Sequence, residues 1–228
     1  MAAMNDVYLL KKGKGQAALE WIHDGIFPNK CLFCRKVLED LRGVSCEICG
    51  NSALFLRDFR EGYFENIDDV YVAYDYDLEV AREVVMRLKY GGKKLLARKM
   101  AQGIFDCFVE IEADCFVCVP LPDGRLKERG YNQAALLAME LAGLYGMSAY
   151  DGLARTRETA KQFDLGPKER AANVAGAFAV KDGFCVEGKR VVLVDDVLTT
   201  GATAMECARV LAQAGARCVG VMTFAAVG

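Results

Sequence analysis

The 228-residue sequence has a single histidine, a single tryptophan, and no apolar run approaching the roughly 18 residues that a membrane span needs. The histidine, His23, stands near Trp21 in a segment with helical spacing and reads as structural, so histidine-dependent acid–base chemistry is not expected. An excess of one charge is also missing. Lys and Arg total 29 against 31 Asp and Glu, a net charge of −2, which excludes a globally basic nucleic-acid binder but leaves room for local patches. The opening MAAMNDVYLLKKGKG lacks the basic, apolar and small-residue succession of a secretory signal. No internal repeat and no low-complexity segment occurs, and neither G-x4-G-K-[ST] nor G-x-G-x-x-G is found. These absences point to a cytoplasmic protein with no membrane span and no Walker-type or dinucleotide loop.

Cysteine, by contrast, is abundant: there are ten. In a reducing compartment such residues are metal ligands or buried thiols before they are disulfides. Cys31, Cys34, Cys46 and Cys49 form C-x2-C, eleven residues, C-x2-C. Each pair can chelate from a tight turn, and two pairs complete a tetrahedral thiolate site. Zinc is the expected metal, in a structural role. An iron centre on the same ligands, or four free or disulfide-bonded cysteines, are the alternatives. Cys115 and Cys118 have the same spacing but fall on opposite faces of an apolar strand and read as buried thiols.

Just over half the residues are apolar, enough for a sizeable core. The spacing predicts a short helix around GQAALEWIHDGIF (15–27), a strand at 68–76, helices at 78–90 and about 93–108, and a buried strand at 115–120. A long polar loop, a helix at 132–145 and a basic loop at about 155–170 follow, then strand 189–197, helix 203–215 and strand 217–225. Alternating strands and helices predict an α/β fold: a mostly parallel sheet with helices on both faces. The expected organisation is an N-terminal helical segment (1–30), a small four-cysteine zinc-ribbon domain (31–57) and an α/β domain (66–228).

The most informative stretch is VVLVDDVLTTGAT, 191–203. Four apolar residues of a buried strand run into Asp195 and Asp196, at the strand end where open α/β sheets bind ligands. Two adjacent carboxylates can accept hydrogen bonds from the 2′- and 3′-hydroxyls of a ribose. Thr199, Thr200, Gly201, Ala202 and Thr203 then lead into a helix whose N-terminal N–H groups suit a phosphate. Gly201 permits close backbone approach. The alternative is an ordinary strand–turn–helix with capping residues.

This stretch resembles the phosphoribosyl pyrophosphate (PRPP) signature of type I phosphoribosyltransferases. The resemblance implies that fold, ribose hydroxyls on Asp195 and Asp196, the 5-phosphate within 199–203, and Mg²⁺ carried in with PRPP. VPLPDGRLKERGYNQ then corresponds to the pyrophosphate loop, with Arg125 and Arg129 ahead of a helix N-terminus; a solvated basic loop is the alternative. RTRETAKQFDLGPKERAANVAGAF (155–178) corresponds to a mobile loop that closes over the site, or is a surface excursion. These two segments, with LKYGGKKLLA (88–97) and the cysteine pairs, are similar to the ComF family of competence-associated, phosphoribosyltransferase-like proteins. The match covers about residues 20–226. It carries over Arg129, Gly130, Asn132, Gln133, Gln162, Arg170 and Asn173 as site positions and implies a link to DNA uptake.

Two functions follow from the resemblance. One is transfer of phosphoribosyl from PRPP to a nitrogen acceptor. The sequence shows no glutaminase domain and no cysteine after Met1, so glutamine-dependent amide transfer is not expected. The other is a non-catalytic module that binds PRPP and contacts single-stranded DNA or the uptake machinery. Arg87, Lys89, Lys93, Lys94, Arg98 and Lys99 form a cationic run with no acidic residue between 84 and 105. It reads first as the solvated face of two helices and second as a phosphate-facing patch.

Overall fold

A computed structural model of the chain describes residues 6–13, 28–40, 43–47, 49, 64–90, 95–157 and 167–227. Five parallel strands form the main sheet, in the order β1 (Asp69–Asp75), β7 (Cys218–Ala226), β6 (Arg190–Leu198), β2 (Cys115–Cys118), β3 (Ser148–Tyr150). All four residues of β2 are buried, as are Val191–Val194 of β6. A strand covered on both faces has no polar face to show, which is why these runs are continuously apolar.

The order of the strands fixes where the helices lie. From β2 the chain passes through α4 (Gln133–Tyr145) to β3, moving outward in one direction; from β6 it passes through α6 (Ala202–Gln213) to β7, moving in the other. Parallel crossovers follow a right-handed rule, which puts α4 and α6 on opposite faces. Helices α1 (Glu79–Tyr90) and α2 (Leu96–Cys107) connect β1 to β2, and α2 packs on α4. The reversal falls between β6 and β2. That is the switch point, where the carboxyl ends of the strands open a crevice.

Periodicity explains the packing. In α2 the buried residues Ala97, Met100, Ala101 and Ile104 recur at helical spacing. Each fully buried large aliphatic side chain contributes about 1.5–3 kcal/mol. At the open edge of β3, Leu9 bridges Tyr150, and Leu10 N–H donates to Ala149 O at 2.8 Å. The N-terminal segment thus covers an edge that would otherwise offer unpaired backbone.

The expected α/β sheet with helices on both faces is observed, and the boundaries differ in four places. The polar loop after β2 contains a helix, α3 (Asp123–Arg129). It has no buried residue and hence no apolar period, but Asp123 at its start and Lys127 and Arg129 at its end complement the helix dipole. The basic loop 155–170 is bounded by structure: β4 (Leu153–Arg155) pairs antiparallel with β5 (Phe178–Val180), and α5 (Pro167–Val174) lies between them. Helix α5 starts with proline, Pro167, in the first helical position. Strand β6 ends at Leu198, one residue past the expected end, and β3 follows directly on α4. The predicted helix around 15–27, with His23, lies outside the described residues. Among the described residues no helix is long and apolar enough to cross a membrane.

Candidate functional site

Strand β6 outruns β2. Cys118, the last residue of β2, pairs with Val194, whereas β6 goes on pairing with β7 through Asp195–Thr223 to Leu198–Ala226. Asp195 and Asp196 therefore stand on a step at the switch point. Successive strand residues leave on opposite faces, and the pair divides accordingly. Asp196, 3% exposed, faces α1, where Lys89 Nζ lies 3.0 Å from its Oδ2. Asp195 accepts a hydrogen bond from Asp196 N–H on Oδ1 at 2.8 Å and lies on the side of Cys207 of α6.

Burial and the neighbouring Asp196 charge push the Asp195 carboxyl up to about 8, against the opposing pull of Lys89. Burial works to lower Lys89, but Asp196 and then Asp195 hold its ammonium above the ordinary lysine range. The favoured state is a protonated Asp195 near the Lys89 ammonium, which lies against Asp196. Cys207, fully buried, is raised well above the usual thiol range by burial and by Asp195.

Thr199 and Thr200 turn the chain into α6, and Gly201 at the turn has φ +74°. Gly201 at the helix start provides no side-chain cap, and the N-terminal end of a helix is the end that suits an anion. Gly201 meets a second constraint as well: a Cβ there would lie 2.2 Å from the ring of Phe64. Ala202 is buried and Thr203 half-buried.

The segment 129–133 is fastened to the end of α1. Arg129 Nη1 donates to Gln133 Oε1 at 3.0 Å and its Nη2 to the Tyr90 hydroxyl at 3.2 Å, while the guanidinium lies 4.9 Å from the centre of the Tyr90 ring. Tyr131 donates its hydroxyl to Leu88 O. Gly130 closes α3 with φ +74°. Asn132 caps α4, accepting from Ala134 N at 3.0 Å, and donates to Val119 O at 2.9 Å just beyond β2. The sequence segments 88–90 and 129–133 are thus two sides of one contact.

Arg125 is half-buried on α3, near Arg155 of β4. Burial lowers Arg155, whose ring partner is Phe178 at 5.1 Å, and the like charges of Arg125 and Arg157 lower it further. Arg155 thus has two further guanidiniums, Arg125 and Arg157, in its neighbourhood. Arg157 Nη2 donates to Ala175 O at 2.8 Å, and Gly176 N–H donates to Glu206 of α6 at 2.7 Å, anchoring both ends of the segment between β4 and β5. Asn173 is half-buried on α5; Gln162 and the side chain of Arg170 lie outside the described residues.

The four N-terminal cysteines converge, with all four sulfurs within 4.8 Å of one another. Cys34 and Cys46 sulfurs are 3.7 Å apart. A tetrahedral site with metal–sulfur bonds of about 2.3 Å has sulfur–sulfur edges of about 3.8 Å, so the donor set has the right size. Burial acts to raise Cys31, but N–H donors of Cys46, Cys34 and Phe33 outweigh it and lower the thiol to about 7. Cys31, Leu32, Phe33 and Val44 are buried in the common core, and Phe33 stacks edge-on against Tyr74 of β1 at 5.2 Å.

The cationic run of α1 and α2 takes neither of its expected forms at three positions. Arg87 donates to Leu32 O at 2.5 Å, Lys99 donates to Lys30 O, and Lys89 enters the site. The first two tie the cysteine segment to the helices, the Arg87 bond half-buried and the Lys99 bond exposed. Lys89, Tyr90, Tyr131 and Phe64 are the site-wall residues that sequence reasoning missed. The adjacency of LKY to RGYNQ is visible only in three dimensions.

The Phosphoribosyl transferase domain family matches residues 129–228. DNA utilization protein YhgH of Escherichia coli K12 is 39% identical over 109 residues, 47% of each chain. Competence protein F of Haemophilus influenzae is 36% identical over 106 residues, 45% of each chain. Competence protein ComFC of Bacillus subtilis is 28% identical over 207 residues, 81% of this chain and 78% of that protein. The aligned region spans about half the length of the first two relatives.

Proposed function

We propose that this chain, a homologue of the YhgH, ComF and ComFC proteins, binds Mg²⁺-complexed PRPP and transfers its phosphoribosyl group to a nitrogen acceptor, releasing pyrophosphate. The observation that carries this reading is the carboxylate pair on the β6 step, set between an uncapped helix N-terminus and the Arg129 loop. Asp195 and Asp196 accept from the ribose hydroxyls. The first turn of α6, with Thr199–Thr203, takes the 5-phosphate. Pyrophosphate departs toward Arg129 and Arg125. The C1–O bond breaks with its electron pair going to pyrophosphate, an oxocarbenium-like C1 accepts the nitrogen lone pair, and the nitrogen loses its proton to solvent. The protein supplies orientation and charge stabilisation, with no covalent intermediate. Mg²⁺ enters as part of the substrate. The cysteine cluster holds zinc in a closed structural site.

Calorimetric titration of Mg²⁺·PRPP into wild type and Asp195→Asn/Asp196→Asn tests the ligand. Binding that disappears in the double variant is expected; wild type that takes up no PRPP overturns the reading. Phosphorus NMR with candidate amines then follows pyrophosphate release.

A second reading is a PRPP-binding module that contacts single-stranded DNA without turnover. The names of the relatives, DNA utilization and competence proteins, favour it. The engagement of Arg87, Lys89 and Lys99 by partners within the chain weakens the cationic run as its DNA surface. Fluorescence anisotropy with a labelled oligonucleotide, with and without Mg²⁺·PRPP, separates the two readings.

A further inference from the structure

Lys89 is an unexpected residue to find against Asp196. A buried ion pair seldom repays the desolvation of its two charges, and an apolar pair would fill the same space at lower cost. The side chains of Lys89 and Asp196 are 19% and 4% exposed. The chain nevertheless fastens the helix turn that carries this ammonium through both neighbours of Lys89. The residue before it, Leu88, accepts the Tyr131 hydroxyl; the residue after it, Tyr90, lies under Arg129. Both anchors belong to the 129–133 segment, so the last turn of α1 is locked to that segment while Lys89 reaches the carboxylate pair. Lys89 thus reaches the acid pair from the same helix turn that holds the Arg129 loop. The carboxyl end of α1 also favours a cation there.

An ammonium has three donors. Among the described residues the one ion-pair partner of Lys89 is Asp196, leaving donors for a second anion. The group nearest such a position in bound PRPP is the pyrophosphate at C1, because C1 adjoins the ribose hydroxyls that the aspartates accept from. Negative charge grows on the leaving oxygen as the C1–O bond breaks, and a fixed cation in a dry site stabilises that charge strongly.

We propose that Lys89 is a substrate-binding residue of the phosphoribosyl site, bridging Asp196 to the pyrophosphate group. The inference rests on the reading of the site as a PRPP site. Lysine provides this as a point charge, complementary to the forked guanidinium of Arg129.

The test compares three ligands by calorimetry: Mg²⁺·PRPP, Mg²⁺·pyrophosphate and ribose 5-phosphate, which has the sugar and the 5-phosphate without the pyrophosphate. Lys89→Met removes the charge and keeps the stem. Lys89→Gln can still donate to Asp196, so the fold has a neutral variant that leaves this carboxylate partnered. In both variants PRPP and pyrophosphate should weaken about tenfold or more, as loss of a charge-assisted hydrogen bond dictates, with ribose 5-phosphate changed less than about threefold. Lys89→Arg should recover part of the loss. Equal weakening of all three ligands would make Lys89 only the counter-ion of Asp196 and overturn the proposal, as would unchanged PRPP affinity in Lys89→Gln. Wild type that binds none of the three removes the PRPP reading and this inference together, an outcome distinct from the first two.

Discussion

Arg129 lies over Tyr90, its guanidinium carbon 4.9 Å from the ring centre and its Nη2 3.2 Å from the phenol oxygen. A guanidinium held by a ring face, a hydroxyl and Gln133 is pre-oriented and loses little freedom when an anion arrives. Tyr90 is 59% exposed, so Tyr90→Ala should leave the unfolding temperature nearly unchanged. Loss of the ring contact and one hydrogen bond should weaken PRPP about three- to tenfold. Tyr90→Phe, which keeps the ring, should lose less than half of that in free energy. Equal affinity in all three proteins would mean that Arg129 is oriented without Tyr90.

Gly201 is constrained twice, by φ +74° and by the ring of Phe64. Gly201→Ala should lower the unfolding temperature and suppress PRPP binding. Gly201→Ala with Phe64→Ala removes the clash but not the left-handed backbone, so about 1 kcal/mol of destabilisation should persist. Full recovery in the double variant would show that the ring alone excludes a side chain.

Asn132 has two jobs, capping α4 and bonding Val119 O. Asn132→Ala should cost about 1–3 kcal/mol in denaturant unfolding. Asn132→Asp keeps the capping acceptor and loses the donor, and should fall between the two. If Asn132→Ala matches wild type in stability, the residue acts on ligand and not on the fold.

The raised Asp195 carboxyl ties both stability and binding to pH. Its folded value, about 8, exceeds its ordinary value near 4, so the folded state holds the extra proton. Stability from this group is complete below about pH 4 and is lost as pH rises to about 8, by up to about 1.4 kcal/mol per pH unit. Wild type should therefore lose stability relative to Asp195→Asn across that window and level off above it. Ribose hydroxyls donate to an ionised carboxylate, so PRPP binding at pH 7 should release a proton. Titrations in buffers of different ionisation enthalpy should give different apparent heats. Parallel stability curves and buffer-independent heats would place the titration elsewhere.

The cysteine cluster predicts about one zinc per chain by elemental analysis. Chelation, or Cys46→Ser, should free Leu32, Phe33 and Val44 from the core, lower the unfolding temperature and raise binding of a hydrophobic dye. A protein purified without metal, equally stable with chelator, would overturn the metal assignment.

The sheet and the acid pair are legible in the sequence because their signals are local. Val191–Val194 form a strand buried on both faces, and Gly201 follows where backbone must turn and be approached. Helix α3 is not legible because a helix with no buried residue has no apolar period to read. Strands of three residues, such as β4 and β5, are too short to show alternation. Lys89 is hidden for another reason. In a run of cations, one that enters the interior looks the same as its solvated neighbours, and the partner that draws it in is 107 residues away along the chain. Phe64 belongs to no periodic segment, so nothing marks it until Gly201 is seen beside it.

Cys118 and Cys207 have no solvent exposure, whereas Cys34 is exposed. One ends the strand beside Val194; the other lies on α6 near Asp195. Burial raises both thiols, so neither is a nucleophile until this part of the molecule opens. Their alkylation rates are thus a clock for that opening, and a ligand seated on the β6 step slows the clock in proportion to its occupancy. The protein carries its own reporter for screening acceptors, with no label to be introduced and no turnover required.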